Sequence, residues 1–158
     1  GYPKWAAENK DVTRVAPKVT AATFTVKVDA SKVATEQYVL DNLKNASVKL
    51  LDARSAGEYA GTDLRAKRGG HIPGAVNIDW TQAMTSDQVS VFKSAAELTA
   101  LYQGAGITKD KEVITYCQTG VRAAHSYFVL RLLGYGKVRN YDGSWVEWGN
   151  DPQTPIDK

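Results

Sequence analysis

Short β-branched runs alternate with amphipathic helical stretches along most of this chain, and that alternation limits its fold more than any other feature. The runs are Phe24–Val28, which alternates as an edge strand does, then Val48–Leu51, Ala75–Ile78, Val113–Tyr116 and Val138–Tyr141. Tyr38, Val39, Leu40 and Leu43 form a helical stripe behind Thr35, a plausible N-cap. Ser55-Ala56-Gly57-Glu58 and Ser94-Ala95-Ala96-Glu97 have the spacing of capping boxes, in which a hydroxyl and a carboxylate close the helix start reciprocally. Val121–Leu133 repeats apolar residues at helical spacing and stops at Gly134, and Trp145–Trp148 gives a last helical turn. Residues 60–74 are rich in Gly and charge and read as a loop. Strands that alternate with helices pair in parallel. The prediction is an α/β fold: a parallel sheet covered by helices on both faces. In such sheets ligands bind beyond the carboxyl ends of the strands.

The chain has 158 residues, the size of one domain, and its 43% apolar and 23% charged residues are those of an ordinary globular protein. A net charge of +3 gives no electrostatic reason to propose nucleic acid as a partner. No apolar run approaches the ~20 residues of a membrane-spanning helix. Cys117 is the one cysteine, so an intramolecular disulfide and a Cys-rich metal site are excluded. The first residues show no charged segment ahead of an apolar one, as a signal peptide would, and the compartment stays open between cytoplasm and bacterial periplasm. Residues 6–23, rich in Ala, Thr, Val and Lys, read as an extended arm, and the compact part is expected to start near Phe24.

The chemistry concentrates at Val113-Ile114-Thr115-Tyr116-Cys117-Gln118-Thr119-Gly120-Val121-Arg122. A strand delivers a cysteine, and a helix with Arg122 in its first turn follows at once. Backbone N–H groups of a tight strand-to-helix loop converge into an anion-binding nest, and the helix start adds its own free N–H groups and dipole. Such a setting favours a thiolate. Gly120 permits a backbone conformation that a Cβ would hinder. Arg122 supplies a fixed charge or an oxyanion clamp. The alternative for any free cysteine is a small, inert core residue. The Cys-x4-Arg spacing is one residue shorter than the Cys-x5-Arg loop of phosphatases that form a phosphocysteine. A tighter loop suits a smaller guest, such as one sulfur atom on the cysteine.

At this loop the sequence resembles the rhodanese family of sulfurtransferases. Leu51-Asp52-Ala53-Arg54-Ser55, Gly70-His71-Ile72-Pro73-Gly74-Ala75-Val76-Asn77 and Tyr141-Asp142-Gly143-Ser144-Trp145-Val146-Glu147-Trp148 resemble three further family motifs, in the family's order. The resemblance implies a five-stranded parallel sheet and a persulfide mechanism that uses no metal or organic cofactor. In it, Cys117 attacks the transferable sulfur of an anionic donor, the sulfane sulfur of thiosulfate or that of a related donor such as 3-mercaptopyruvate. Backbone N–H groups of Gln118, Thr119, Gly120, Val121 and Arg122 stabilise the persulfide, and cyanide or a thiol removes the sulfur.

Tyr2-Pro3-Lys4-Trp5 echoes Trp145-Val146-Glu147-Trp148, which closes rhodanese domains. Residues 1–23 therefore read as the tail of a preceding rhodanese domain and an interdomain linker. Residues 24–158 then form the C-terminal, catalytic domain of a tandem protein, with the preceding domain as an intramolecular partner. Gln118-Thr119 matches neither the basic pair common in thiosulfate enzymes nor the Gly-Ser pair common in mercaptopyruvate enzymes. Glu58 stands where many tandem enzymes carry an Arg that helps hold the anionic substrate. Arg122 stands where they often carry Thr, and it is expected to take over anion binding.

Asp52 reads as a buried hydrogen-bond partner beneath the loop, and Arg54 as a partner of Asp52 or Glu58. His71 is expected to hold the Gly70–Gly74 turn, His125 to pack or face solvent, and Trp145 and Trp148 to pack. The competing functions are a non-catalytic rhodanese module for sulfur carriage or partner binding and, on the same scaffold, a Cys-dependent phosphatase or arsenate reductase.

Overall fold

Alternate strand residues enter opposite layers, as the pleat requires. The computed structural model describes residues 1–158. Its five strands are β1 (Val33–Ala34), β2 (Val48–Asp52), β3 (Val76–Asn77), β4 (Glu112–Tyr116) and β5 (Val138–Tyr141). They form one sheet in the order β1-β5-β4-β2-β3, with every pair parallel. Leu51, Val113 and Val138 face one layer, with Leu98 and Tyr102 of α4 (Ala95–Gly104) and Val129 and Leu130 of α5 (Val121–Leu132). Leu50, Ile114, Tyr116 and Tyr141 face the other, with Val39 of α2 (Glu36–Asn42) and Trp145 and Trp148 of α6 (Ser144–Trp148). Helices cover both faces, as the alternation predicts.

Thr35 caps α2 through the Tyr38 N–H. Both capping boxes form: Ser55 with Glu58 opens α3 (Ala56–Tyr59), and Ser94 with Glu97 opens α4.

The edge strand expected at Phe24–Val28 is absent. Phe24, Val26 and Val28 are 84%, 70% and 82% exposed, so the alternating pattern has no partner strand or core to bury it. The edge position belongs instead to Val33–Ala34, which pairs with Asn140 and Tyr141 after a turn capped by Asp29. Upstream, α1 (Tyr2–Ala7) carries Pro3 in its first turn, and residues 8–29 form no helix or strand. All side chains of residues 1–31 are exposed.

The loop of residues 60–74 is fastened to the end of the chain. Arg68 donates to the carbonyls of Trp148, Asp151 and Thr154. His71 and Asp157 exchange backbone hydrogen bonds of 2.9 and 3.0 Å.

Candidate active site

β4 is flanked by β2 and β5, and its carboxyl end delivers Cys117 with 1% of its surface exposed. The turn into α5 passes through Gly120 at φ +80°, a left-handed conformation that suits glycine. A Cβ there would lie 2.5 Å from Asp142 Oδ1, so the closing motif packs against the loop as closely as a glycine allows.

α6 holds the loop from one side. Its N–H groups at Trp145 and Val146 donate to the carbonyls of Cys117 and Gln118 at 2.9 and 3.0 Å. In a trans peptide the N–H points opposite to the carbonyl. The N–H groups of Gln118 and Thr119 therefore point away from α6, toward the open side of the loop. These two, with those of Val121 and Arg122, donate to no protein acceptor and are available to the nest that the sequence predicts. Gly120 departs from that prediction. Its N–H donates to Ser144 Oγ at 3.1 Å, as does the N–H of Cys117, and Ser144 in turn donates to the Tyr141 carbonyl at 2.8 Å. Gly120 shapes the loop without lending its N–H to the sulfur.

Arg122 points back across the loop. Its two terminal nitrogens donate to the two oxygens of Glu58 at 2.7 and 2.8 Å. Glu58 is 2% exposed and keeps its capping-box bonds to Ser55. Burial works against its charge, but the Arg122 and Ser55 hydrogen bonds outweigh that penalty and hold its pKa down at about 2. The Glu58 hydrogen bonds and charge, against burial, raise the Arg122 guanidinium above its ordinary range. The Arg122 expected to clamp an anion is thus already bound to a carboxylate inside the protein. Of the other loop residues, Gln118 reaches the Arg65 carbonyl with its amide at 2.9 Å, Thr119 is exposed, and Val121 is 75% exposed.

Beneath the loop, Asp52 and Arg54 form the buried pair that the sequence allows, with Nη2 to Oδ2 at 2.6 Å and exposures of 0% and 1%. Arg54 also donates to the Gly70 carbonyl at 2.8 Å and lies 4.4 Å from the Trp145 ring. His71 stacks on Tyr59 at 3.6 Å with Nδ1 3.1 Å from the Tyr59 carbonyl, a structural post as expected. His125 packs edge-on to Trp80 at 5.1 Å, and burial pushes its pKa down.

Sequence reasoning missed three contributors. Ser144 ties α6 to the loop. Trp80 packs against the cluster of Ala53, Cys117 and Ala123. Asn77 braces the Asp52 and Arg54 carbonyls at 3.1 and 2.8 Å. Ser144 and Asn77 lie inside the quoted motifs, so position was their only available signal.

The Rhodanese-like domain family matches residues 35–151. Thiosulfate sulfurtransferase of Pseudomonas aeruginosa is 39% identical over 157 residues, 99% of this chain and 57% of that protein. The sulfur carrier protein TtuD of Thermus thermophilus is 43% identical over 171 residues, 100% of this chain and 59% of that protein. Among solved structures, wild-type EanB has a TM-score of 0.89 at 26% identity, covering 100% of this chain and 39% of that one. A variant of EanB has been seen with its cysteine as a persulfide. The anaerobic ergothioneine biosynthesis enzyme from Chlorobium limicola, in complex with trimethyl histidine, also scores 0.89, at 25% identity over 100% of this chain and 40% of that one. The chain spans less than two thirds of the length of these curated relatives.

Proposed function

Because the chain belongs to the rhodanese family, we propose that it is a sulfurtransferase that carries sulfane sulfur on Cys117. The observation that carries this reading is the nest: one buried thiol at the end of the central strand, beneath four backbone N–H groups without a protein acceptor. With thiosulfate as the donor, the Cys117 thiolate attacks the outer sulfur. A new S–S bond forms, the donor's S–S bond breaks, and sulfite leaves with its electron pair. The persulfide anion sits among the N–H groups of Gln118, Thr119, Val121 and Arg122, which stabilise charge without having to reorganise. Cyanide or a thiol then takes the terminal sulfur and returns the thiolate. The shorter Cys-x4-Arg loop disfavours the phosphatase and arsenate-reductase reading.

Mass spectrometry after thiosulfate treatment tests this proposal. A gain of one sulfur atom on Cys117, and its absence in Cys117→Ser, supports it. An unmodified Cys117 with no thiocyanate formed from cyanide overturns it.

The likeness to TtuD, named as a sulfur carrier, supports a second reading in which a protein thiol is the acceptor. Slow discharge to cyanide and fast discharge to a protein thiol would favour carriage. We also propose that residues 1–23 are a preceding domain's tail and a linker. The exposed Val12, Val15 and Val19 and the greater length of the relatives support it. In a longer chain with that domain, Trp5 and Phe24 should be shielded from solvent.

A further inference from the structure

Building on the persulfide reading of Cys117, we propose that Glu58 determines donor specificity. By neutralising Arg122 it favours sulfane-sulfur donors of at most one negative charge, thiol persulfides (R–S–SH), over the thiosulfate dianion.

Arg122 stands in the first turn of the helix that follows the reactive sulfur, and both of its terminal nitrogens are committed to Glu58. Neighbouring cations are also matched. Arg65 lies 3.8 Å from Glu58 and pairs with Asp63 at 3.0 Å. Arg54 is consumed by Asp52. The site's attraction for anions therefore rests on backbone N–H groups and the start of α5. A dianion that draws Arg122 to itself must break a bidentate pair and leave a carboxylate that is 2% exposed with only the more distant, half-exposed Arg65 as counter-ion, which is unfavourable. A dianion that leaves the pair intact binds beside that carboxylate. A persulfide with an uncharged tail meets neither penalty. The bond changes mirror those for thiosulfate: the Cys117 thiolate bonds to the outer sulfur, the donor S–S bond breaks, and the thiolate R–S⁻ leaves with the electron pair.

The test is steady-state kinetics with thiosulfate and with 2-hydroxyethyl hydropersulfide, comparing the unmodified protein with Glu58→Gln. Glutamine keeps the capping bond to the Ser55 N–H and removes the charge. The expected result is a thiosulfate KM lower by roughly tenfold or more, the scale of one charge-assisted hydrogen bond. Its kcat should stay level, and kcat/KM for the hydropersulfide should be little changed. Equal losses with both donors and an unmoved KM would overturn the proposal, because a merely structural Glu58 acts on both alike. If thermal denaturation shows that the Gln variant does not fold, Glu58→Asp replaces it. Its shorter reach loosens the pair, so the thiosulfate KM should fall, and an unchanged KM overturns the proposal. Failure of every donor to form a persulfide on Cys117 overturns the sulfurtransferase reading itself. Persulfide formation with an unaltered donor preference overturns only the role of Glu58.

Discussion

Ser144 Oγ accepts the backbone N–H of Cys117 at 3.1 Å, so the last helix of the fold fixes the first peptide of the reactive loop. The same oxygen accepts the Gly120 N–H, and Ser144 adopts φ +53° while doing so. A non-glycine residue in that region carries a conformational cost, which the three hydrogen bonds of its hydroxyl offset.

Replacing Ser144 with Ala should therefore do more than delete a hydroxyl. Two buried N–H donors lose their acceptor, and each unsatisfied donor costs on the order of 1–3 kcal/mol. We expect Ser144→Ala to unfold at a clearly lower urea concentration and to form the Cys117 persulfide more slowly. An unchanged denaturation midpoint would show that the loop does not depend on this hydroxyl.

Acid should loosen the site through Glu58. The folded-state pKa is about 2 and the ordinary value is 4.5. A group whose folded pKa is depressed stabilises the fold fully above its unfolded pKa, and this contribution disappears as pH falls through the folded one. The window is thus about pH 4.5 down to about 2, and the contribution is on the order of 3 kcal/mol at most. Urea denaturation across this range should show the stability gap between the unmodified protein and Glu58→Gln shrinking as pH falls. A gap that stays constant would contradict the assignment.

Gly120→Ala should damage the loop while sparing the core. At φ +80° any Cβ is strained, and this one would meet Asp142. The Asp142 side chain and the loop must shift apart, and the nest shifts with the loop. We expect persulfide formation to fall by at least an order of magnitude, about 1.4 kcal/mol in the barrier. Far-ultraviolet circular dichroism should be unchanged. Normal kinetics in this variant would mean that the loop tolerates another backbone path.

What the sequence revealed was what is local in the chain. The Ser55–Glu58 and Ser94–Glu97 capping boxes span three residues each, and both were legible as helix starts. Cys117, Gly120 and the start of α5 lie in one turn, so the nest was legible too. Contacts between distant residues were not. Glu58 and Arg122 each drew notice separately, but they are 64 residues apart, and nothing in either segment announces their pairing. Ser144 lies 27 residues from Cys117 and meets it only because α6 returns across the sheet's end. Phe24–Val28 failed for the complementary reason: alternation describes a face that needs burial, and the fold provides no surface to bury it. Val33–Ala34 forms the edge strand with two residues, too few to show any period.

The sheet order has a dynamic consequence. β4, which runs into Cys117, has neighbours on both edges and layers on both faces, so its amides resist opening by local fraying. In native-state hydrogen exchange they belong with the slowest protons of the molecule, released by global unfolding, whereas residues 8–29 exchange at once. The nucleophile is thus mounted on the last part of the molecule to melt, and on heating its reactivity and the fold itself should vanish in a single transition.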